Sequence, residues 1–161
     1  VAELTEMSEY AVLGPGVCAG LGTANTMHLA CEALGMALPG TTPVRANSEP
    51  MWRAVEQAAR RVVEMTAEDL RPRDILTPGA FANAVTAILS VSGSINSVKH
   101  LQAVAAEAEC GADVYRMFEE LAGRVPLLAA VRPNYENISQ VLAAMETIGP
   151  DGAVTLYDAA K

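Results

Sequence analysis

The residues best suited to chemistry in this sequence lie in a glycine-rich stretch near its beginning. Cys18 is surrounded by glycines at positions 14, 16, 20 and 22, which permit positive φ angles and close backbone approach to a bulky group. The polar segment Thr23–Thr26 follows and is typical of a helix start, whose free amide hydrogens attract negative charge. A thiol in such a loop has a lowered pKa and binds metal as the thiolate. One interpretation of the pattern is therefore a metal-binding Cys18.

The same stretch also has a purely structural interpretation. The glycines would then form a turn before an ordinary helix, and Cys18 would be a small buried apolar side chain. The residue types and their spacing leave both interpretations open.

Weaker candidates for a functional site are found further along the chain. His28 and Cys31 are three residues apart in the first predicted helix, and Glu32 follows them. A structural metal site needs more ligands than this pair provides, so we interpret Cys31 as part of an apolar helix face. His100 either points at a pocket beside the small residues at 92–94, or it is a surface or satisfied core histidine.

Several longer segments resemble the motifs of one enzyme family and occur in that family's order. They are Cys18–Met27, Glu32–Gly40, Leu70–Thr77 (LRPRDILT), Ala80–Ala84 (AFANA), Ser92–Asn96 (SGSIN) followed by His100–Leu101, Pro126–Ala129, and Arg132–Pro133. On these segments the chain resembles the dihydroxy-acid dehydratase / 6-phosphogluconate dehydratase (IlvD/Edd) family.

The resemblance implies an activity and a set of cofactors. Members of the family remove water from 2,3-dihydroxy acids or sugar acids to give 2-keto acids, using an iron–sulfur cluster (2Fe–2S or 4Fe–4S) as Lewis acid together with Mg²⁺. Cys18 occupies the position of the last cluster cysteine of the family, so the resemblance assigns it as a cofactor-binding and metal-binding residue. Thiolates suit the iron of such clusters. The family is dimeric or larger, which makes a homo-oligomer the expected state.

The other functional residues of the family lie outside the matched segments. The resemblance places two further cluster cysteines and the Mg²⁺ ligands upstream and the catalytic serine far downstream, and neither Cys31 nor Cys110 falls in a family cysteine motif. We therefore expect residues 1–161 to be a single unit, part of the N-terminal domain of a longer dehydratase, with no catalytic residue of its own. The chain alone should neither bind the cluster nor turn over. The alternative is a non-catalytic helical binding or assembly module that reuses the dehydratase fold.

Departures from the family motifs leave the substrate open. Ile95 replaces the threonine of the family's GGSTN segment, and Ala130 replaces the aspartate of its PLLAD segment. The Leu21–Ala24 variant is somewhat closer to the sugar-acid branch of the family than to the branched-chain amino-acid branch.

Composition and charge argue against several other classes of protein. The formal net charge is −8 and no aromatic residues alternate with the arginines, which argues against nucleic acid as a partner. No stretch approaches the ~20 apolar residues that span a bilayer, and the acidic first residues do not resemble a signal peptide. The three cysteines lack the spacing of a disulfide framework. We therefore expect a cytoplasmic protein, and the resemblance to the family implies a small hydroxy acid as its ligand.

Hydrophobic periodicity predicts a predominantly α-helical chain with one or two short strands, within the helix-flanked sheet (α/β) that the resemblance implies. The predicted helices are a turn at about 4–10, a helix at about 25–37, one capped by Ser48, one beginning at Thr77–Pro78, one at about 96–109, one capped by Asp113, and one containing Ile138–Ile148. Val125–Val131 is the best strand candidate, followed by Ala153–Tyr157, and Pro72 is expected to interrupt any helix in a turn region at 65–76.

Two of these helices have apolar stripes that predict their buried faces. The predicted stripes are Met27, Cys31, Leu34 and Leu38 in the first, and Trp52, Val55, Ala59 and Val62 in the second. A slice of a larger domain should also expose apolar surface that other segments normally cover, so self-association is expected.

Overall fold

A computed structural model describes residues 2–11, 14–16 and 21–128. The described residues form seven helices: α1 Ala2–Tyr10, α2 Thr23–Ala33, α3 Glu49–Ala67, α4 Pro72–Ile75, α5 Pro78–Ser90, α6 Asn96–Ala108 and α7 Val114–Ala122. No β-strand occurs within these ranges. The predicted helical character is confirmed there, whereas the sheet of the expected α/β fold is not seen among them. The predicted helix at Ile138–Ile148 and the predicted strand at Ala153–Tyr157 lie outside the described residues.

Side-chain caps begin three of the helices where the sequence predicts them. Ser48, Thr77 and Asp113 each accept a hydrogen bond from the backbone N–H three residues later, over 3.4, 3.3 and 3.1 Å. Each cap satisfies an amide that the first turn of a helix leaves without a partner. The starts of α3, α5 and α7 are therefore determined locally.

The core forms around α5, which packs against α2 and α7, while α6 packs against α7 and α2. Phe81, Val85 and Ile88 of α5 are buried in it. The core includes several alanines and valines among larger residues, in keeping with an aromatic content of only 4%. Small side chains allow helices to pack closely, and this lets short helices share one core.

The turn that follows α5 passes very close to α2. A Cβ atom at Gly93 would lie 2.9 Å from Ile88 Cγ2 and 3.0 Å from Thr26 Cγ2. Both neighbours are methyl groups attached directly to a Cβ, so they cannot move aside by rotating at the end of a long chain. Gly93 also donates its N–H to the Ile88 carbonyl over 2.9 Å. The backbone of this turn therefore approaches α2 closely at Gly93.

The face of α2 that enters the core differs from the predicted one. The helix begins two residues before the predicted start and ends at Ala33, where Gly35 with φ +79° terminates it. Its buried apolar residues are Leu29, Ala30 and Ala33, together with the C-cap Leu34. Of the predicted stripe, only Leu34 is buried, and Met27 packs at the edge of the core. Small side chains such as Ala30 and Ala33 allow α2 to pack closely in the core, where its main neighbour is α5.

A buried carboxylate holds the loop after α2. Glu32 is 9% exposed, and its Oε1 accepts the Gly40 N–H over 2.9 Å. Its Oε2 accepts the Thr42 N–H over 3.1 Å and the Thr42 hydroxyl over 2.8 Å. Three donors compensate for the desolvation of the charge, so Glu32 connects the end of α2 to residues 40–42.

The apolar stripe of α3 is not buried by any described residue. Trp52, Val55 and Val62 are 56%, 52% and 62% exposed. The predicted pair Glu49–Arg53 forms at 3.1 Å, and Glu56–Arg60 forms as well. The predicted burial of this stripe is therefore wrong within the described residues, whereas the expectation that the chain exposes apolar surface is confirmed for α3. No helix in the described ranges is long and apolar enough to cross a membrane.

Two local predictions are wrong within the described residues. Residues 65–76 are not one turn region, because α3 continues to Ala67 and Pro72 begins α4. Proline suits the first turn of a helix, where its missing N–H would have no partner. Residues 125–128 form no strand, since Val125 continues the last turn of α7 through its N–H bond to Leu121. Residues 129–131 of that prediction lie outside the described part.

Replacing Gly93 with alanine is expected to lower the free energy of unfolding by about 1–3 kcal/mol, because the new methyl group overpacks the contact with Ile88 and Thr26. Urea denaturation measures the effect. Gly123→Ala is the matched control, since a Cβ there meets nothing within 4 Å. Equal stabilities of the two variants would contradict the packing argument.

Replacing Glu32 with glutamine is expected to destabilise the chain by about 1–3 kcal/mol, since the amide loses the charge and presents N–H groups to backbone donors. Glu56→Gln, in an exposed pair within α3, should cost a few tenths of a kcal/mol at most. Thermal and urea unfolding of both variants test this difference. A Glu32→Gln variant as stable as Glu56→Gln would show that the loop does not depend on the carboxylate.

Candidate functional site

Cys18, the predicted cofactor-binding residue, lies outside the described residues, so the site is defined here by the elements next to it in the chain. Leu21 is buried, and Gly22 is the N-cap of α2. Gly22 offers no side chain, so the first turn of α2 receives no side-chain cap from this position. In the sequence, α2 therefore begins only a few residues after Cys18.

A polar cluster, consisting of Thr23, Thr26, Ser94 and Asn96, joins the start of α2 to the turn after α5. The Ser94 N–H donates to Thr26 Oγ1 over 2.9 Å. The hydroxyl oxygens of Thr23 and Ser94 are 3.1 Å apart, and Asn96 Nδ2 donates to Thr23 Oγ1 over 2.9 Å. Two of the motifs identified in the sequence, TANT and SGSIN, thus meet in space although about 70 residues separate them.

The polar cluster runs from the core to the surface. Thr26 is fully buried, Thr23 and Ser94 are partly buried, and Asn96 is exposed. None of its side chains titrates near neutral pH, so the cluster can orient neighbouring groups but cannot transfer protons as an acid or base. Its chemical role is therefore positional. Sequence analysis singled out both segments but had no signal that they form one cluster.

The other two cysteines lie in surroundings that do not form a metal site among the described residues. Burial raises the pKa of the Cys31 thiol and keeps it in the protonated form, which binds metal poorly. The Cys110 thiol donates to the Ala105 carbonyl over 3.7 Å. The described part of the chain contains no group of three or more His, Cys, Asp or Glu side chains that could hold a metal ion. A site built from His28, Cys31 and Glu32 is therefore not supported, and both Glu32 oxygens are bound by the loop at residues 40–42.

His100 is exposed on α6, so of its two interpretations the surface one is confirmed and the pocket one is wrong. One open groove, of about 560 Å³, lies beside the connection from α6 to α7 and is lined by Gln102, Glu109 and Tyr115 among others. Another, of about 530 Å³, lies between α3 and the turn after α2. Neither is lined by a cysteine or histidine, and the first groove offers only the carboxylates of Glu109 and Asp113, which are fewer than the three ligand side chains of a metal group.

Comparison with known proteins relates the chain to one family. A family model described as "Dihydroxy-acid/6-phosphogluconate dehydratase N-terminal" matches residues 1–149. A dihydroxy-acid dehydratase of Syntrophobacter fumaroxidans is 40% identical over 142 residues, which is 86% of this chain and 25% of that protein. Dihydroxy-acid dehydratase 2 of Acinetobacter baylyi is 38% identical over 148 residues, covering 92% of this chain and 26% of that protein.

A third relative, the dihydroxy-acid dehydratase of Oleidesulfovibrio alaskensis, is 43% identical over 132 residues, or 81% of this chain and 23% of that protein. The chain thus spans about a quarter of the length of the relatives it matches. The resemblance drawn from the sequence motifs is confirmed. The chain belongs to the dihydroxy-acid/6-phosphogluconate dehydratase family and corresponds to its N-terminal region.

Proposed function

We propose that this chain is part of a dehydratase that removes water from 2,3-dihydroxy acids to give 2-keto acids. The observation that carries the proposal is the family match over residues 1–149, together with identities of 38–43% to proteins named dihydroxy-acid dehydratase. Because these relatives are about four times as long as the matched region, the activity is ascribed to a longer protein of which this chain supplies one part. Family membership favours this role over a non-catalytic binding or assembly module.

Cys18 is the residue through which the chain would take part in the reaction, as one ligand of an iron–sulfur cluster. A thiolate is the donor that iron in such clusters takes, so the donor chemistry of this chain fits one ligand. The described residues contain no group of three or more His, Cys, Asp or Glu side chains that could hold a metal ion. By resemblance to the family, the remaining cluster ligands and the Mg²⁺ site would come from outside this chain. When bound, the cluster supplies a Lewis acid for the departing hydroxyl group.

The start of α2 and the polar cluster would contribute by positioning Cys18. The start of α2 brings backbone N–H groups close to Cys18 in the chain, and a helix N-terminus stabilises negative charge such as that of a thiolate. The polar cluster holds this helix start against the core through the 2.9 Å bond between Ser94 N–H and Thr26 Oγ1. The glycines at positions 14, 16, 20 and 22 carry no side chains, which suits a segment that would have to admit a bulky inorganic group.

Two substrate classes remain for the whole enzyme. The three relatives compared above are named dihydroxy-acid dehydratases, which supports a 2,3-dihydroxy acid. The second candidate is a sugar acid, supported by the Leu21–Ala24 segment, which is closer to the sugar-acid branch of the family. Turnover of the whole enzyme with one substrate of each class decides between them.

The oligomeric state and the cellular compartment are part of the same proposal. The exposed apolar side chains of α1 and α3, among them Met7 and Trp52, support a homo-oligomer or burial by the rest of the enzyme. Cys31 and Cys110 are free thiols, which suits a reducing compartment such as the cytoplasm. A small hydroxy acid, and no nucleic acid, is the proposed ligand.

Replacing Cys18 with serine in the full-length enzyme is expected to remove most of the visible absorbance that appears when iron and sulfide are reconstituted, since the cluster loses a thiolate ligand. Cys31→Ser and Cys110→Ser are the matched controls and should leave the absorbance unchanged. Iron and acid-labile sulfide per chain quantify the result. Wild-type cluster content in the Cys18→Ser protein would exclude the assignment.

The 161-residue chain by itself is expected to retain no stoichiometric cluster and to show no dehydratase activity, because one thiolate cannot hold a cluster. Reconstitution followed by desalting, iron analysis and a 2-keto-acid assay test this directly. The full-length enzyme, treated in the same way, is the positive control. A stable cluster on the isolated chain would contradict the expected division of ligands.

A further inference from the structure

We propose that the apolar face of α3 is the docking site of residues 138–148 of the same chain. This surface, the α3 face, consists of the stripe Trp52, Val55, Ala59 and Val62 together with the groove beside Val62. The inference concerns how the chain packs, so it does not depend on the proposed function.

The stripe of the α3 face has the spacing of a surface that packs against another helix. Its four residues are separated by three, four and three positions, which places them along one line of the helix. Ala54, Arg61 and Met65, on a different side of α3, are half-buried. Trp52 and Val62 are 56% and 62% exposed. One side of α3 is thus partly covered within the described fold, and the described residues leave the other side uncovered.

The stripe continues at Val62 into an apolar groove. This groove of about 530 Å³ lies between α3 and the turn after α2. Apolar residues dominate its lining, among them Leu38, Val62, Met65, Leu70 and Ile75. Arg61 is the one charged residue of the lining, and its guanidinium is paired with Glu64 and Glu68 at 3.2 and 2.7 Å. The groove therefore favours an apolar occupant with little charge.

Residues 138–148 carry a pattern that matches the stripe. The sequence predicts a helix there, and its apolar row repeats the intervals of three, four and three positions. The row consists of Ile138, Val141, Met145 and Ile148. Glu146 is the only charged residue of the segment. A helix of this length is marginal in water by itself, so it needs an apolar surface to pack against.

The segment can reach the α3 face from the point where the described residues end. Leu128 donates its N–H to the carbonyl of Ser90, the last residue of α5, over 2.8 Å. The groove lies near the opposite end of α5, since Ile75 in its lining shortly precedes Pro78, the first residue of that helix. A helix of 13 residues is about 20 Å long. The nine residues 129–137 span up to about 30 Å, which is enough to cover this distance.

Covalent attachment favours this segment over a second copy of the chain. A short linker holds a tethered segment near a surface at a millimolar effective concentration. Another molecule of the chain at micromolar concentration therefore competes poorly for the same face. The remainder of a longer protein is the third possible occupant, and experiments on the 161-residue chain exclude it by composition.

Fluorescence of Trp52 tests the proposal, because this residue is the single tryptophan of the chain and lies in the stripe. In the 161-residue chain, a docked segment should give blue-shifted emission and weak quenching by acrylamide. Val141→Asp places a charge in the apolar row and should release the segment. The quenching constant is then expected to rise about twofold or more, since an uncovered Trp52 is 56% exposed. Ala143→Asp is the matched control, because it adds the same charge on the opposite side of the predicted helix and should leave the emission unchanged.

A second variant tests the α3 side of the contact without risk to the core. Val62→Asp changes a residue that is 62% exposed and should increase chymotrypsin cleavage within residues 138–148 severalfold, as located by mass spectrometry. Gln57→Asp, at an exposed position on the opposite side of α3, is its control and should not change the cleavage rate.

Three results would overturn the proposal. The first is a solvent-exposed Trp52 in the unmodified chain, which would leave the α3 face to the remainder of a longer protein. The second is equal quenching in Val141→Asp and Ala143→Asp together with equal cleavage in Val62→Asp and Gln57→Asp. The third is protection of Trp52 that disappears on dilution from micromolar to nanomolar chain, which would assign the face to a second copy. None of these measurements involves a cluster or turnover, so their failure would leave the proposed function unaffected.

Discussion

The structure depends on the close approach of α2 to the end of α5, where Gly93, Ile88 and Thr26 are in contact. Gly93 has only a hydrogen where other residues have a Cβ atom. Its small size lets the backbone of the 92–96 turn come within hydrogen-bond distance of the buried Thr26 hydroxyl. Packing of this density makes an interface rigid, because any displacement either creates overlap or opens a void. The start of α2 is consequently fixed both by side-chain packing and by a buried hydrogen bond.

Helix α2 is held at both ends by buried polar groups, and each serves a different loop. At its start, Thr26 accepts the Ser94 N–H. At its end, Glu32 accepts donors from Gly40 and Thr42. Apolar packing by Leu29 and Ala33 positions the helix body, but it does not define the loops on either side. The hydrogen bonds of Thr26 and Glu32 fix the positions of these loops, since the energy of a hydrogen bond depends on its angle and distance as well as on burial.

The relation between this chain and a whole dehydratase explains its unburied surfaces. Helix α3 is 19 residues long and has an apolar stripe of helical spacing, yet Trp52 and Val62 remain more than half exposed. An apolar stripe of this kind normally packs against another part of a protein, because exposed apolar area is unfavourable in water. The chain corresponds to about a quarter of its relatives, and the proposed ligand role of Cys18 likewise requires partners from elsewhere. Both features indicate a unit that is completed by other segments.

The sequence by itself determined the features that depend on neighbouring residues. Caps at Ser48, Thr77 and Asp113 and the family motifs were all identified correctly, because a side chain within three residues can satisfy a helix-start amide. The buried face of α2, the exposure of the α3 stripe and the meeting of Thr26 with Ser94 were decided only by the tertiary structure. These features depend on which surfaces the chain brings together, and local periodicity carries no information about a partner some 70 residues away.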